Sequence, residues 1–260
     1  MSTPAPLAFI TGASSGIGQA LALRYHRAGW QLALVARRGG AVEQWARAQG
    51  LGAGRVTVYE ADVRDVAAIT AVGRRCIDEL GLPQVVIANA GISIGVDGGE
   101  FADLEVLRAT FETNNLGLAA TFQPFIAPMC ARSSGRLVGI ASVAGIRGLP
   151  GHGADCASKA AVIAYCESLR GDCRAAGVRV VTLLPGYIDT PLTQHNRYSM
   201  PFLMSAADFA DRAYRAIDAG ASYRVIPWQM GWVAKLMRLL PNAVFDRLLQ
   251  GRERKRRLSE

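Results

Sequence analysis

A glycine-rich loop near the amino terminus is the first segment of the sequence that could bind a ligand. It runs from Thr11 to Gly18 and reads TGASSGIG, with the apolar run Leu7–Ile10 before it and the helical segment Gly16–Ala28 after it. Glycines allow a tight turn and let backbone N–H groups approach an anion, and a helix N-terminus adds positive partial charge. The order of strand, loop and helix predicts a site for a dinucleotide pyrophosphate, although an ordinary glycine-rich turn would use the same residues.

The elements around this loop follow a regular alternation of short apolar runs and segments of helical length. We predict strands at Leu7–Ile10, Gln31–Ala36, Val56–Tyr59, Val85–Ala88, Arg136–Ala141, Arg179–Leu184 and Tyr223–Ile226. We predict helices at Gly16–Ala28, Val66–Leu80, Leu104–Met129, Cys156–Ala175 and Ala206–Ala219. The strands are nearly continuous apolar runs, which is typical of strands covered on both faces. The sequence therefore predicts an α/β fold, a single Rossmann-like doubly wound parallel β-sheet with helices on both faces.

Composition excludes several classes of protein. Hydrophobic residues make up 50% of the chain and charged residues 19%, which rules out intrinsic disorder. No uninterrupted apolar stretch is long enough to predict a transmembrane helix, and no basic segment precedes the first apolar run, so we expect no secretory signal. The net charge is +8, and all but three of the 29 basic residues are arginine. This excess of arginine indicates a bias in the composition of the whole chain rather than a binding surface, so we predict no nucleic-acid partner.

The cysteines and histidines indicate a reduced protein without a metal site. There are 5 cysteines, an odd number, with no C-x-x-C pair, and the 3 histidines are scattered along the chain. This pattern predicts free thiols and a cytoplasmic location, and it favours neither a disulfide framework nor a zinc site.

Five further motifs accompany the glycine loop. They are Asn89-Ala90-Gly91, Asn114 within TNNLG, Ser142 within ASVAG, Lys159 within CASKA, and Pro185–Thr190, which reads PGYIDT. Together with the glycine spacing G-x-x-x-G-x-G, they resemble the short-chain dehydrogenase/reductase family over nearly the whole chain. Taken singly, Asn89 could cap a strand end, and Ser142 or Pro185-Gly186 could be simple turn residues. Open α/β sheets bind ligands at the carboxyl ends of their strands, where these motifs fall.

The resemblance implies hydride transfer between a nicotinamide cofactor and a carbonyl or alcohol carbon. The catalytic positions that it implies are Asn114, Ser142, Asp155 and Lys159. The cofactor-binding positions are Gly12, Ser14, Ser15, Gly16, Ile17, Gly18, Arg37, Arg38, Asp62, Val63, Asn89, Ala90, Gly91, Lys159, Pro185, Gly186, Ile188 and Thr190. In the family, the serine orients the substrate oxygen, the lysine holds the nicotinamide ribose, and the asparagine holds a water in a proton relay. The family also implies a homodimer or homotetramer in which the two long helices pair across a two-fold axis.

The sequence departs from the family at the proton donor. A tyrosine normally stands four residues before the lysine, and here that residue is Asp155, within an otherwise intact GADCASK segment. An aspartate is shorter than a tyrosine and is normally ionised at neutral pH, so we expect a poor proton donor that could still act as a weak base in alcohol oxidation. The favoured alternative gives Asp155 a helix-stabilising role, through the helix dipole and an ion pair with Lys159. His152 and Tyr187 are other candidate donors.

Two arginines at the end of the second strand bear on the choice of cofactor. An acidic residue there would bind the adenosine ribose and select NAD, whereas Arg37 and Arg38 suit a 2′-phosphate. We therefore predict NADP(H) in preference to NAD(H), with two merely exposed arginines as the alternative. Asp62 matches the family's adenine contact, or else is a helix N-cap.

The sequence as a whole predicts an NADP(H)-dependent oxidoreductase that interconverts a carbonyl compound and an alcohol, impaired at Asp155. The alternative is a catalytically silent NADP(H)-binding protein with a sensing or scaffolding role. Residues 1–226 are predicted to form a dinucleotide-binding catalytic domain with an integrated substrate pocket, and 227–260 an amphipathic segment and basic tail. That pocket, around 93–101, 146–152 and 192–204, is largely apolar and favours a hydrophobic carbonyl or alcohol substrate. For the C-terminal segment we favour packing over the pocket or in an oligomer contact, with peripheral membrane contact as the alternative.

Overall fold

The computed structural model describes residues 5–52, 54–194, 196, 198–251 and 253–258. Within them a parallel sheet of seven strands has the order β3-β2-β1-β4-β5-β6-β9. Its strands are β1 (Leu7–Thr11), β2 (Gln31–Ala36), β3 (Val56–Glu60), β4 (Val85–Ala88), β5 (Gly135–Ile140), β6 (Val178–Pro185) and β9 (Tyr223–Ile226). A separate pair joins β7 (Ile188–Asp189) to β8 (Met204–Ser205). The predicted fold class is confirmed, and each predicted strand lies within one residue of its observed bounds.

Helices cover both faces of the sheet. They are α1 (Gly16–Arg27), α2 (Gly39–Ala48), α3 (Val66–Leu80), α4 (Asp103–Phe111), α5 (Gly117–Ala131), α6 (Gly153–Arg174), α7 (Ala206–Asp218), α8 (Trp228–Leu239) and α9 (Asn242–Leu249). The single long helix predicted at Leu104–Met129 is instead α4 and α5, joined by the π-helical turn Glu112–Leu116. Sequence analysis did not predict α2, which begins with Gly39-Gly40, two residues of low helix propensity.

Neighbouring residues of each strand pack into different halves of the core. On β1, Phe9 packs with residues of α3, α5 and α6, whereas Ile10 packs with residues of α1, α2 and α7. Side chains alternate between the faces of a strand, so both faces of this one are buried. This double burial accounts for the continuous apolar runs in the sequence, and the parallel arrangement brings the carboxyl ends of the strands to one edge.

The C-terminal segment packs on the loop that follows β5. Arg147 from this loop donates hydrogen bonds to the carbonyl oxygen of Leu240 at 2.8 Å and to Oδ1 of Asn242 at 3.0 Å. Its guanidinium also lies 3.7 Å from the ring centroid of Phe245. The segment therefore contacts one of the loops that were predicted to line the substrate pocket, 146–152. No helix of the described residues is long and apolar enough to cross a membrane.

Candidate active site

The glycine loop between β1 and α1 depends on its glycines for close packing against the end of β4. Gly12 has a φ of +68°, and a Cβ there would lie 2.8 Å from the Cα of Ala90. A Cβ on Gly18 would overlap the carbonyl oxygen of Gly12. Ser15, the N-cap of α1, makes no side-chain hydrogen bond to the helix, so its first-turn N–H groups have no side-chain cap. The loop thus meets the requirements of a pyrophosphate site, namely bare backbone and an uncapped helix N-terminus.

Alanine at Gly18 is expected to lower the free energy of unfolding by about 1–3 kcal/mol, because its Cβ must displace the backbone of Gly12. Gly40, in α2, is a matched control because a Cβ there would meet no atom within 4 Å. Gly40→Ala is expected to leave stability unchanged or to raise it by about 0.5–1 kcal/mol. Urea denaturation of both variants measures the difference, and equal stabilities would show that the loop tolerates a side chain.

Asn89 fastens the end of β4 to the glycine loop. Its Nδ2 donates to the carbonyl oxygen of Thr11 at 3.0 Å and to that of Gly12 at 3.3 Å. The hydroxyl of Thr11 accepts the backbone N–H groups of Asn89 at 3.1 Å and Ala90 at 3.2 Å. The side chain is therefore more than a strand cap, since it fixes the loop that would hold the pyrophosphate.

The loop after β6 also reaches the glycine loop. A Cβ on Gly16 would lie 3.1 Å from the side chain of Thr190, so the two predicted cofactor loops are in contact. Gly186 donates its N–H to the carbonyl oxygen of Ile226 at 2.8 Å. A side chain at Gly186 would also meet Met230 of α8. The glycine of this motif is thus required by packing as well as being a turn residue.

Asn114 and Lys159 face the same glycine at the end of β4. A Cβ on Gly91 would lie 3.2 Å from Oδ1 of Asn114 and 3.5 Å from Nζ of Lys159. The Asn114 amide donates to the carbonyl oxygen of Ile92 at 3.0 Å and to Oγ of Ser158 at 2.9 Å, and its Oδ1 accepts the Ile92 N–H. Both ends of this side chain are therefore engaged, and the π-helical turn that carries Asn114 holds the loop after β4 against α6.

Ser142 lies at the carboxyl end of β5, against the helix that carries Lys159. Its Oγ accepts the N–H of Ala144 at 3.1 Å, which leaves the hydroxyl proton available to an oxygen of a bound molecule. A Cβ on Gly145 would lie 2.7 Å from the backbone of Lys159. The glycine is therefore needed for the close approach of this turn to α6.

Asp155 is 7% exposed and lies in the first turn of α6. The expected ion pair with Lys159 is not formed within 4.0 Å, although the structure describes both residues. Nζ of Lys159 donates instead to the carbonyl oxygen of Ile140 at 2.9 Å. Burial lowers the pKa of Lys159, and the Asp155 carboxylate opposes that change. The helix-stabilising interpretation of Asp155 thus loses its ion pair and keeps only the helix dipole.

Neither His152 nor Cys156 is set up as an acid beside Asp155. Burial lowers the pKa of His152, which favours the neutral ring at pH 7, and its Nδ1 lies 3.0 Å from the carbonyl oxygen of Pro150. A neutral ring that donates this hydrogen bond has only an acceptor nitrogen left. Burial raises the pKa of the Cys156 thiol to about 11. Tyr198, which sequence analysis did not single out, packs its ring 5.4 Å from that of His152.

Arg37 and Arg38 are exposed at the carboxyl end of β2, and the charge of Arg37 acts on Asp62. Burial would raise the pKa of Asp62, but hydrogen bonds from Arg64 and the charge of Arg37 lower it below its usual value. Asp62 is not the N-cap of α3, because that position belongs to Asp65, whose carboxylate accepts the Ala68 N–H at 2.9 Å. The alternative interpretation of Asp62 was therefore wrong.

Two predicted cofactor contacts have side chains in the core. Val63 is 6% exposed and packs on Gly117, and Ile188 is 2% exposed. Any contact of these two with a ligand would use the main chain. Sequence analysis also missed Glu60, whose carboxylate accepts the N–H of Gly39 at 2.9 Å and so occupies the start of α2.

The basic tail, residues 253–258, lies over the loop that follows β4. Gly95 donates its N–H to the carbonyl oxygen of Arg256 at 2.9 Å, and the guanidinium of Arg257 pairs with Asp103 at 2.8 Å. Lys255 reaches inward and donates a hydrogen bond to Oγ of Ser93. Sequence analysis described this tail only as the basic end of the C-terminal segment and assigned none of its residues to the site.

The remaining ionisable groups do not suggest other chemistry. The 5 cysteines are free, and no cluster of three or more potential metal ligands occurs in the described part of the chain. Burial raises the pKa of Cys76 and of Cys166 to about 12, so both stay protonated thiols. The prediction of reduced cysteines is thus consistent with the structure.

Comparison with known proteins gives concordant matches. A protein of Myxococcus xanthus described as an uncharacterized oxidoreductase is 38% identical over 242 residues, covering 92% of this chain and 94% of that protein. The 1-deoxy-11-beta-hydroxypentalenate dehydrogenase of Streptomyces exfoliatus is 35% identical over 190 residues, covering 72% and 69%. A short chain dehydrogenase from Burkholderia cenocepacia, solved with NADP, superposes with a TM-score of 0.81 at 24% identity, covering 96% of this chain and 100% of that one.

The family model of the short chain dehydrogenases matches residues 6–200. That span includes the glycine loop, the turn after β5, the whole of α6 and the loop that carries Thr190. The match therefore extends well beyond a shared dinucleotide fold, and the chain belongs to the short-chain dehydrogenase family of oxidoreductases.

Proposed function

We propose that this chain is an NADP(H)-dependent oxidoreductase that interconverts a carbonyl compound and an alcohol, with proton delivery weakened by Asp155. The observation that carries the proposal is the convergence on Gly91, where Lys159 and Asn114 meet beside the glycine loop. The chain departs from the family's catalytic set at one position, where the buried carboxylate of Asp155 replaces the tyrosine.

The cofactor assignment is supported by the fit of the loops at the carboxyl edge of the sheet. Gly12, Gly16 and Gly18 would hold the pyrophosphate, with Thr190 beside them and Arg37 at the adenosine end. When bound, the nicotinamide would supply or accept the hydride. Arg37 is exposed, and its charge acts on Asp62 at this edge of the sheet. Its guanidinium favours a 2′-phosphate over a ribose hydroxyl.

The substrate would be held between Ser142 and the loops after β4 and β5. The Ser142 hydroxyl can donate to the substrate oxygen, because the hydrogen bond from Ala144 uses only its acceptor side. Lys159 would hold the nicotinamide ribose, and its charge would stabilise negative charge that develops on the substrate oxygen. Phe101, Leu192 and Phe202 lie on the predicted pocket loops with exposed side chains, which favours a hydrophobic carbonyl compound.

A second candidate function is binding of NADP(H) without turnover, for sensing or scaffolding. The replacement of tyrosine by Asp155 favours it, because the phenol that would neutralise the alkoxide left by carbonyl reduction is absent. Titration of the protein with NADPH, followed by NADPH oxidation with a panel of ketones and aldehydes, separates the two. Binding with slow turnover supports the enzyme, and binding with no turnover on any carbonyl supports the silent protein.

We expect a homodimer or a homotetramer. The π-helical turn and α6 expose apolar side chains in neighbouring positions, with Leu116 50% exposed and Tyr165 37% exposed. Trp228 and Trp232 of α8, at 63% and 67%, could be covered in a second contact. Light scattering at micromolar concentration should give a mass of two or four chains. A monomer that co-sediments with anionic vesicles through α8 would point to the membrane alternative instead.

A further inference from the structure

The basic tail is anchored on both sides of Lys255. Arg254 pairs with Asp97 at 3.4 Å, and its side chain packs on Gly151, where a Cβ would come within 2.8 Å of it. On the other side, Arg257 is held by Asp103, whose carboxylate is buried. These contacts join the tail to the loop after β4 and to the turn before α6. They fix the backbone at Lys255 and direct its side chain toward the site.

The ammonium group of Lys255 lies near Asp155, close enough for the two charges to interact. Its Nζ donates to Oγ of Ser93, just beyond the Asn89-Ala90-Gly91 motif. Asp155 is the strongest charge acting on Lys255, yet the two groups form no ion pair within 4.0 Å, although the structure describes both. An aspartate is several atoms shorter than a tyrosine, so its carboxylate does not extend to the position that a phenol oxygen would reach. Lys255 lies near that position, because its charge interacts with both Asp155 and Cys156.

The other ionisable groups around Lys255 are less suited to give up a proton there. Those that act on it among the described residues are Asp155, Cys156, His152 and Lys159. The neutral ring of His152 and the buried thiol of Cys156 are poor acids, and Lys159 is hydrogen-bonded to the end of β5. Burial lowers the pKa of Lys255, and Asp155 and Cys156 oppose that change. A lysine whose pKa is brought closer to neutrality by burial is a better general acid than an exposed one.

We propose that Lys255 donates the proton to the substrate oxygen during carbonyl reduction, in place of the tyrosine that this chain lacks. This inference rests on the proposed function. The carbonyl carbon accepts a hydride from the reduced nicotinamide, so the substrate is reduced and the cofactor is oxidised. The electron pair of the C=O π bond moves to oxygen, which forms an O–H bond as one N–H bond of the ammonium breaks. The neutral amine then regains a proton from water.

Substitutions at Lys255 separate proton donation from a purely electrostatic role. Lys255→Met removes charge and proton, whereas Lys255→Arg keeps the charge but cannot deprotonate in this pH range. Both are expected to lower NADPH oxidation by about tenfold or more with NADPH affinity unchanged. Lys235→Met is the matched control, because Lys235 is an exposed lysine of α8. Its turnover should equal that of the unaltered chain. Full activity of Lys255→Arg would overturn the proposal and leave Lys255 with an electrostatic role.

The pH profile gives a second readout. Reduction needs the ammonium form, so turnover should be constant at low pH and fall as the pH rises through the pKa of Lys255, below that of an ordinary lysine. This decrease in turnover at high pH should be absent from the residual activity of Lys255→Arg. An unchanged decrease in that variant would mean that another group causes it, which would contradict the proposal.

A measurement without turnover is possible because the chain has 3 lysines. After reductive methylation with ¹³C-formaldehyde, each lysine gives a separate methyl signal, which the variants assign. The signal of Lys255 should titrate at lower pH than that of Lys235, and Asp155→Asn should lower the Lys255 midpoint further. Coincident midpoints for Lys255 and Lys235 would place Lys255 in solvent and refute the proposal.

The outcomes also separate this proposal from the proposed function. Measurable turnover that is lost in both Lys255 variants supports both. If Asp155→Tyr reduces carbonyls while the unaltered chain does not, or if Lys255→Met has no effect, Lys255 is not the donor and the proposed function stands. If neither the unaltered chain nor Asp155→Tyr reduces any carbonyl, the proposed function fails and the proton-donor role fails with it.

Discussion

Replacement of Asp155 by tyrosine is expected to raise the rate of NADPH-dependent carbonyl reduction by about two to four orders of magnitude, the usual contribution of general acid catalysis. The phenol would extend from the first turn of α6, one helical turn before Lys159, into the space between Ser142 and Lys255. The Lys159 ammonium would lower the pKa of that phenol, and the Ser142 hydroxyl would orient the substrate oxygen. The measurement is the rate of NADPH oxidation with a panel of ketones and aldehydes.

Asp155→Phe is the matched control for this substitution. Phenylalanine fills the same volume without the hydroxyl group, so it should not restore the rate. NADPH affinity should be similar in all three proteins, because the glycine loop, Asn89 and Thr190 do not depend on residue 155. Restoration by phenylalanine would mean that Asp155 impairs the site by shape or charge and not by lack of a proton. A rate for the unaltered chain that equals that of Asp155→Tyr would show that its proton delivery is not impaired.

Lys159→Ala in the Asp155→Tyr background is expected to abolish the restored reduction. It removes the charge that activates the phenol and the group that would hold the nicotinamide ribose. The hydrogen bond from Nζ to the carbonyl oxygen of Ile140 is also lost. Circular dichroism of the double variant should show an intact fold. Retained turnover with a folded protein would place the activating charge elsewhere, with Lys255 the first residue to examine.

Arg37→Ala is expected to weaken NADPH binding by about tenfold to a hundredfold, because a hydrogen bond to a charged group contributes about 1.5–3 kcal/mol. NADH carries no 2′-phosphate, so its affinity should hardly change. Arg27→Ala is the matched control, because Arg27 is an exposed arginine at the far end of α1. Fluorescence titration of each variant with both cofactors gives the four dissociation constants needed. Equal affinities of the unaltered protein for NADPH and NADH would contradict the predicted preference.

The seven strands of the main sheet could be predicted from local sequence pattern. Strands buried on both faces have an unbroken apolar pattern, which fixed their bounds to within one residue. The π-helical turn at Glu112–Leu116 left no local signal, because the hydrophobic spacing of one long helix and of two joined helices is nearly the same. Sequence analysis missed α2 because the helix begins with two glycines, which have low helix propensity.

The candidate site was less predictable because parts of it depend on contacts between distant segments. The glycine loop, Asn89 and Thr190 carry their own motif, and the structure brings them together as the resemblance implied. The position of Lys255 depends on ion pairs such as Arg257 with Asp103, which are 154 residues apart in the chain. A run of basic residues gives no indication of such a partner, so sequence analysis assigned Lys255 no role at the site. The absence of an ion pair between Asp155 and Lys159 likewise depends on a contact between separate elements, because Lys159 donates instead to the carbonyl oxygen of Ile140 at the end of β5.

The position of the basic tail has a consequence for the order of events during synthesis. All seven strands of the sheet are available for pairing once Ile226 has left the ribosome, and a domain can fold as a unit when its chain has emerged. The loops that would bind the cofactor can therefore form while residues 253–258 are still in the exit tunnel. Until release, the nascent protein has an open site without Lys255. A product that ends after α9 but before Lys255 would keep Met230 against Gly186 of the cofactor loop, and it would lack the proton donor that we propose for carbonyl reduction.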